Sequence, residues 1–148
     1  MSPYRNFLLM ILAASVLMFG LMYLNTYQLS HVWFSQTRMF MTFIMAGSMA
    51  LVMLSFMRKM YSDKRANLAI VIGSAALIGL GLWLVRSQAT VGEVAWMKAM
   101  IPHHSIAILT SERASIEDPR VRKLADEIIE AQRREISEME VLIDDLEQ

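Results

Sequence analysis

The sequence predicts an all-α protein in which three transmembrane helices are followed by a helical hairpin outside the membrane. Three runs of eighteen or nineteen residues, at positions 7–24, 39–57 and 68–85, contain no charged side chain. A helix needs about 20 mostly apolar residues to cross the hydrocarbon core, so each run is long enough once its flanks are counted. Beyond Gly92 the apolar residues recur at helical spacing. We therefore divide the chain into a membrane region, residues 1–88, and an outer region, residues 89–148.

The charge distribution separates the same two regions. Residues 1–88 hold seven basic residues and one acid, a net charge of +6, whereas residues 89–148 hold seven bases and thirteen acids, a net charge of −6. The chain has no cysteine, which excludes disulfides and thiolate metal sites. We expect no nucleic-acid partner, because such binding needs a basic patch on a folded domain.

The loops between the spans predict the orientation of the chain. Residues 58–67 carry four bases and one acid, whereas residues 25–37 carry no formal charge when histidine is neutral. Basic loops stay in the cytoplasm, so the amino terminus is predicted to lie there and the outer region on the opposite side. We expect a multi-pass protein of a bacterial inner membrane, in contact with lipid, whose C-terminal region lies in the periplasm.

Small and sulfur-containing residues mark the second and third spans. Small residues allow helices to pack closely, and they occur at Ala46, Gly47 and Ala50 and again at Ala75 and Gly79. The second span also has a methionine at every fourth position, at residues 41, 45, 49, 53 and 57. Packing and a thioether path for a soft cation both remain open; we favour packing, because no acid or histidine accompanies these methionines within the span.

The outer region is predicted to form two helices, at about residues 93–114 and 119–146. Asp118 is a suitable N-cap and Pro119 suits the first helical position. The short turn between the helices makes them antiparallel. A hairpin of this length buries little core by itself, and each helix has one apolar face. We therefore expect two hairpins to pair as a homodimer into an antiparallel four-helix bundle.

Polar side chains interrupt both apolar faces. On the second helix, Gln132, Glu135 and Met139 fall within the apolar stripe, where an acid is costly unless it is paired or bound to a metal. Whether Glu135 pairs with a basic side chain or contacts a metal is left open.

The first helix places a histidine on its apolar face. Met97, Met100 and His104 share that face, and His103 lies at its margin. Pro102 is predicted to kink this helix just before the histidines and to let both imidazoles turn toward one pocket.

Imidazole and thioether groups together favour a soft metal ion. Methionine in particular prefers Cu(I) to harder cations, so His103, His104 and Met100, with Met97 or Met139, predict a site for a copper ion, Cu(I), or for Ag(I). The third histidine, His31, lies in the loop after the first span, where a lone histidine is more often a polar interfacial residue than a ligand. Trp33 and Trp83 are interpreted as anchors at the membrane interface.

The outer region resembles the DUF305 family, a domain of unknown function. The stretches "MIPHHSIAI" and "DPRVRKLADEIIEAQRREISEMEVLI" carry the resemblance, which covers about residues 93–147 and none of the spans. The matching residues of the first helix are Met100, Ile101, His103, His104, Ala107 and Ile108. Those of the second helix are Leu124, Ala125, Ile128, Ile129, Gln132, Glu135, Ile136 and Met139.

The resemblance implies a ferritin-like helical bundle that is often extracytoplasmic and is associated with copper binding and copper resistance. It implies that Met100, His103, His104 and Met139 contact the metal, with Gln132 and Glu135 as further ligands or as partners of the ligands. Two departures stand out. Ile106 and Thr110 occupy positions where many members have additional methionines, which points to a lower copper affinity or stoichiometry. Many members also have two hairpins per chain, so the single hairpin here favours dimerisation.

The expected function is that of a membrane-anchored metal-binding protein in copper homeostasis or resistance, and not that of an enzyme. The Glu-x-x-His pairs of di-iron oxidases and the His-Glu-x-x-His run of zinc hydrolases are both missing from the sequence. The alternative is a structural or interaction module whose acidic hairpin dimerises or docks a partner without a metal, with His103 and His104 as core residues.

Overall fold

The structure, a computed structural model, describes residues 3–148 and contains only helices in that part of the chain. The five α-helices are α1 (Pro3–Leu21), α2 (Gln36–Phe56), α3 (Lys64–Ser87), α4 (Glu93–Arg113) and α5 (Pro119–Leu146). A short 3-10 helix, Leu29–His31, lies between α1 and α2. The prediction of an all-α protein is confirmed.

Three of these helices, α1 to α3, are long and apolar enough to cross a membrane. α1 ends at Leu21, three residues before the uncharged run ends, and the backbone turns immediately afterwards. Tyr23 belongs to the loop that follows α1, where its hydroxyl accepts the Ser35 N–H at 2.9 Å. α3 begins earlier than the uncharged run, at Lys64, because Asp63 caps it by accepting the N–H groups of Arg65 and Ala66.

The chain divides into two compact units. One contains α1, α2 and α3, and the other contains α4 and α5 together with residues 23–36. We call residues 23–36 the strap. The strap packs on the outer helices, although it lies between two spans in the sequence. Its uncharged, mixed composition gave no sign of this role.

Close packing between α2 and α3 occurs at glycines. A Cβ added to Gly47 would lie 2.8 Å from both Ile78 Cγ1 and the Ser74 carbonyl oxygen. A Cβ on Gly81 would lie 2.9 Å from Ile44 Cγ1. The two helices approach so closely that no side chain fits at these positions.

The prediction that Ala75 and Gly79 allow α3 to pack closely on another helix is wrong. Ser74 and Gly81 are buried and lie seven residues apart, on one side of the helix. Ala75 and Gly79 are exposed, and a Cβ on Gly79 would meet nothing within 4 Å. Spacing alone does not identify which of two small-residue pairs on one helix faces its neighbour.

The second unit is an antiparallel hairpin, as predicted from its turn. Asp118 caps α5 by accepting the Arg120 N–H at 2.8 Å, and Pro119 occupies the first helical position. Lys98 near the start of α4 pairs with Glu147 at the end of α5. Both predicted helices are found, with α4 ending at Arg113.

The core of this unit is formed by six side chains from the two helices and by aromatic side chains of the strap. The six are Met97, Ile101, Ile108, Ile136, Met139 and Ile143. Tyr27 and Trp33 of the strap pack against them. Trp33 therefore packs on the hairpin core, whereas Trp83 of α3 is 57% exposed.

The predicted apolar face of α5 is only half buried. Ala125, Met139 and Ile143 are buried, whereas Leu124 and Leu142 are 56% and 44% exposed. The position of the strap explains why Leu124 and Leu142 are exposed. It covers the side of the hairpin that carries Ser105, so the core is rotated toward the strap and away from the two leucines.

Candidate functional site

The histidine pair lies in the middle of α4, directly after a proline. Pro102 is buried within the helix, which continues through it to Arg113. Because proline has no N–H, the Lys98 carbonyl has no backbone donor at the position where Pro102 would supply one. The next residue, His103, is exposed, and His104 is partly buried.

Both ring nitrogens of His104 have a partner. Nδ1 lies 3.1 Å from the Met100 carbonyl oxygen, and Nε2 lies 2.8 Å from Glu135 Oε2. A carbonyl oxygen can only accept, so Nδ1 must carry a hydrogen and donate it. In the neutral ring Nε2 is then the basic nitrogen, and its lone pair points at a carboxylate.

This arrangement requires something positive between Nε2 and Glu135. Two sets of lone pairs at 2.8 Å repel each other unless a hydrogen lies between them, as in an ordinary hydrogen bond. A histidine that binds a metal through one nitrogen normally donates its other N–H to a backbone carbonyl or a carboxylate, and His104 has that orientation. A metal ion on Nε2 would take the place of that hydrogen, and because metal–ligand distances are about 2 Å, the Glu135 carboxylate would have to move away from its present position.

Glu135 is less buried than its place in the apolar stripe indicated. Its side chain is 43% exposed, whereas that of His104 is 13% exposed. The partner of Glu135 in this structure is His104 and not an arginine or a lysine, and the predicted metal contact of Glu135 stays a prediction. The position of Glu135 in the apolar stripe suggested that it is buried. It is not, because the buried side of α5 is rotated toward the strap.

The other predicted ligands are less closely associated with this pair. His103 projects toward solvent, with its ring centre 6.3 Å from that of His104 and the ring planes at 62°. Successive helical residues point about 100° apart, so adjacent imidazoles diverge unless the backbone is distorted. Gln132 is partly buried on α5, three residues before Glu135.

The candidate thioethers lie in or beside the core. Met97 and Met139 are 5% and 7% exposed and belong to the apolar cluster, and Met100 packs against its edge. Within residues 3–148 there is no group of three or more His, Cys, Asp or Glu side chains placed to hold a metal ion. Among the described residues, His104 and Glu135 are thus a contacting pair without a third such side chain beside them.

A polar site that the sequence did not predict connects the strap to α4. Ser105 Oγ accepts the Tyr27 N–H at 2.7 Å and lies 2.9 Å from His31 Nδ1. Both Ser105 and His31 are buried. Burial lowers the pKa of His31, and the negative charge of Glu140 partly opposes that shift. The neutral ring can accept the Ser105 hydroxyl hydrogen, so the hydroxyl can serve both strap residues.

A second contact holds the strap across both helices. The Tyr27 hydroxyl donates to Glu112 Oε1 of α4 at 3.2 Å. Arg133 of α5 donates to the same hydroxyl at 3.4 Å, and its guanidinium lies 5.8 Å from the centre of the Tyr27 ring. A serine within an isoleucine-rich helical run was the one sequence signal of this attachment.

Comparison with known proteins finds a curated relative of this chain and a family model that matches its outer region. A viral protein from Acanthamoeba polyphaga mimivirus, described as "Uncharacterized protein L153", is 32% identical over 108 residues, which span 72% of this chain and 69% of the viral protein. No solved structure matches the chain. Residues 84–148, which include α4, α5 and the His104–Glu135 pair, match the domain of unknown function DUF305. The chain belongs to the DUF305 family.

Proposed function

We propose that this protein is a membrane-anchored metal-binding protein that holds Cu(I), or Ag(I), on its outer hairpin and acts in copper homeostasis or resistance. The orientation of His104 is the observation that carries the proposal. Its Nδ1–H is held by the Met100 carbonyl, so Nε2 is fixed as the basic nitrogen on the side facing Glu135. A histidine prepared in this way binds a metal without first having to reorient.

The ligands divide by the chemistry of their donor atoms. His104 supplies imidazole, and Met100 at the edge of the core is the thioether four residues away on the same helix. Imidazole and thioether suit Cu(I), whereas the Glu135 carboxylate is a harder donor that stabilises the positive charge beside Nε2. His103, Met97, Met139 and Gln132 are further candidate ligands around this pair. Imidazole and thioether groups bind the ion without reacting with it. This suits a role in holding or passing on the ion rather than in catalysis.

The charge pattern supports a location for this site. Four basic residues and one acid in the loop 58–67 favour a cytoplasmic position for that loop. With α1 to α3 as spans, the hairpin then lies on the opposite side, in the periplasm of a bacterium with an inner membrane. A site there would meet metal ions before they reach the cytoplasm.

A second function is favoured by a different observation. Leu124, Leu142 and Leu146 on α5 are each about half exposed, which is the surface expected of an interaction module. In that case the His104–Glu135 contact is an ordinary ion pair and the hairpin docks a partner without a metal.

Metal titration distinguishes the two functions. The full-length protein in detergent is titrated with Cu(I) against a chelator of known affinity, beside His104→Ala and Glu138→Gln as a control acid on the same helix. The proposal expects tight binding by the native protein and by Glu138→Gln, and a loss of affinity in His104→Ala at unchanged helicity. Equally tight binding by all three proteins would exclude His104 as a ligand, and equally poor binding by all three would favour the interaction module.

A further inference from the structure

A cleft of about 670 Å³ lies between the end of α2 and the start of α3, within the unit formed by α1, α2 and α3. Two basic residues, Arg58 and Lys64, line the end of this cleft nearest the loop that joins the two helices. Its apolar lining residues are Leu51, Leu54, Leu68 and Val71. We call this feature the loop cleft.

The lining of the loop cleft changes from basic to apolar along both helices. On α2, Leu54 and Leu51 precede Arg58 by four and seven residues. On α3, the two apolar lining residues follow Lys64 at the same intervals. Residues at these intervals follow one side of a helix, and seven residues span about 10 Å. The apolar walls therefore extend for about two turns from the basic end into the two span-length helices.

The basic end of the loop cleft has two positive charges without a counter-charge. Arg58 and Lys64 are exposed, and neither side chain forms an ion pair or a hydrogen bond with another residue of the described chain, residues 3–148. Asp63 is the one acid of this loop, and it does not line the cleft. Its carboxylate accepts the N–H groups of Arg65 and Ala66 as the cap of α3. The basic end therefore favours an anion.

Tyr61 adds a polar group without a partner to the same place. It lines the loop cleft and is 2% exposed, and its hydroxyl has no hydrogen-bond partner among the described residues. Buried hydroxyl groups in proteins normally have a partner. An acceptor oxygen on a molecule bound in the cleft would satisfy this one.

We propose that the loop cleft binds one molecule of an anionic phospholipid, with its phosphate between Arg58 and Lys64 and an acyl chain along the apolar walls. Basic residues at the end of a membrane span attract anionic headgroups. A free phosphate would leave the apolar walls uncovered, and a zwitterionic headgroup would bring its own positive charge to the two bases. The proposal shares the membrane placement of α1 to α3 with the proposed function and does not depend on the metal.

Lipid titration of the full-length protein tests this site. The protein, released from detergent, is analysed by native mass spectrometry after titration with phosphatidylglycerol, with phosphatidylcholine of the same acyl chains, or with glycerol phosphate as the headgroup alone. Arg58→Gln/Lys64→Gln removes two positive charges from the cleft. Lys59→Gln/Arg65→Gln is the matched control, because it removes the same charge from residues of the same segment that do not line the cleft.

The proposal expects the native protein to bind phosphatidylglycerol at least about tenfold more tightly than phosphatidylcholine. Lys59→Gln/Arg65→Gln should keep this preference, and Arg58→Gln/Lys64→Gln should lose it. Phosphatidylcholine should bind all three proteins alike, which checks that the cleft remains intact.

Three results would overturn the proposal. Equal affinity of the native protein for the two lipids would exclude a site that selects an anionic headgroup. An equal loss of preference in both double variants would indicate a general attraction to the basic segment, and glycerol phosphate bound as tightly as phosphatidylglycerol would indicate a site for a free anion. Copper is absent throughout, so each of these results leaves the proposed metal site intact. Extraction of membranes with alkaline carbonate tests the shared membrane placement separately, and release of the protein would contradict that placement.

Discussion

His104 and Glu135 join the two helices of the outer hairpin through a 2.8 Å contact between Nε2 and Oε2. The other ring nitrogen of His104 is fixed by the Met100 carbonyl. The contact lies beside the apolar core of the hairpin and not in it, because the strap covers the side of the hairpin that carries Ser105.

Removing the charge of Glu135 should affect metal binding more than stability. We expect Glu135→Gln to lower Cu(I) affinity by about tenfold to 100-fold, as loss of a ligand partner does elsewhere. The free energy of unfolding should change by about 1 kcal/mol or less, because the Glu135 side chain is 43% exposed and screened by solvent. Chelator competition and thermal unfolding of the same samples separate the two effects. A large loss of stability with unchanged affinity would make Glu135 a structural residue.

The Ser105 hydroxyl should be important for holding the strap. Ser105→Ala leaves the Tyr27 N–H and His31 Nδ1 without their shared partner in a buried place, which costs about 1–3 kcal/mol. Ser115→Ala, on an exposed serine, is the matched control. Hydrogen exchange at the Tyr27 amide is the measurement, and equal protection of that amide in both variants would contradict this role.

The stability of the outer unit should depend on pH through His31. Its pKa is lowered in the folded protein, mainly by burial, so the unfolded chain takes up a proton first as the pH falls. Stability is therefore complete above the ordinary histidine pKa of about 6.5 and declines as the pH drops from there toward the lower folded pKa.

His31→Asn tests this dependence while keeping a polar side chain at the position. Glu140 of α5 acts against the shift and remains in both proteins, as does the Ser105 hydroxyl. Unfolding curves between about pH 7.5 and about pH 5 should fall more steeply for the native protein than for the variant. Parallel curves would show that His31 is not responsible.

Two glycines in the unit formed by α1, α2 and α3 should respond differently to the same substitution. Gly47→Ala places a Cβ 2.8 Å from the backbone oxygen of Ser74, which cannot move away easily, and should destabilise the unit by about 1–3 kcal/mol. Gly79→Ala meets nothing within 4 Å and should be neutral or stabilising. Thermal unfolding in detergent compares them, and equal effects would contradict the observed packing of α2 on α3.

The features of the fold that the sequence predicted correctly are the ones that local sequence patterns determine. Length and lack of charge identified the three span-length helices, and Asp118 with Pro119 identified the start of α5. These features depend on residues close together in the chain. The copper ligands and the pairing of two chains remain predictions.

The strap was missed because its contacts are not local. Tyr27 and Ser105 are 78 residues apart, and no periodicity relates them. Since the strap decides which side of the hairpin is covered, the sequence could not show that Leu124 and Leu142 stay exposed. Because the strap was not predicted, the sequence also suggested, wrongly, that Glu135 is buried.

X-ray absorption at the copper edge of the Cu(I)-loaded, full-length protein tests the central claim most directly, because it distinguishes nitrogen from sulfur ligands. The account predicts imidazole nitrogen together with thioether sulfur around the ion, and a loss of the nitrogen contribution in His104→Ala. A spectrum with sulfur ligands alone, unchanged by His104→Ala, would contradict it and leave His104 as a structural partner of Glu135.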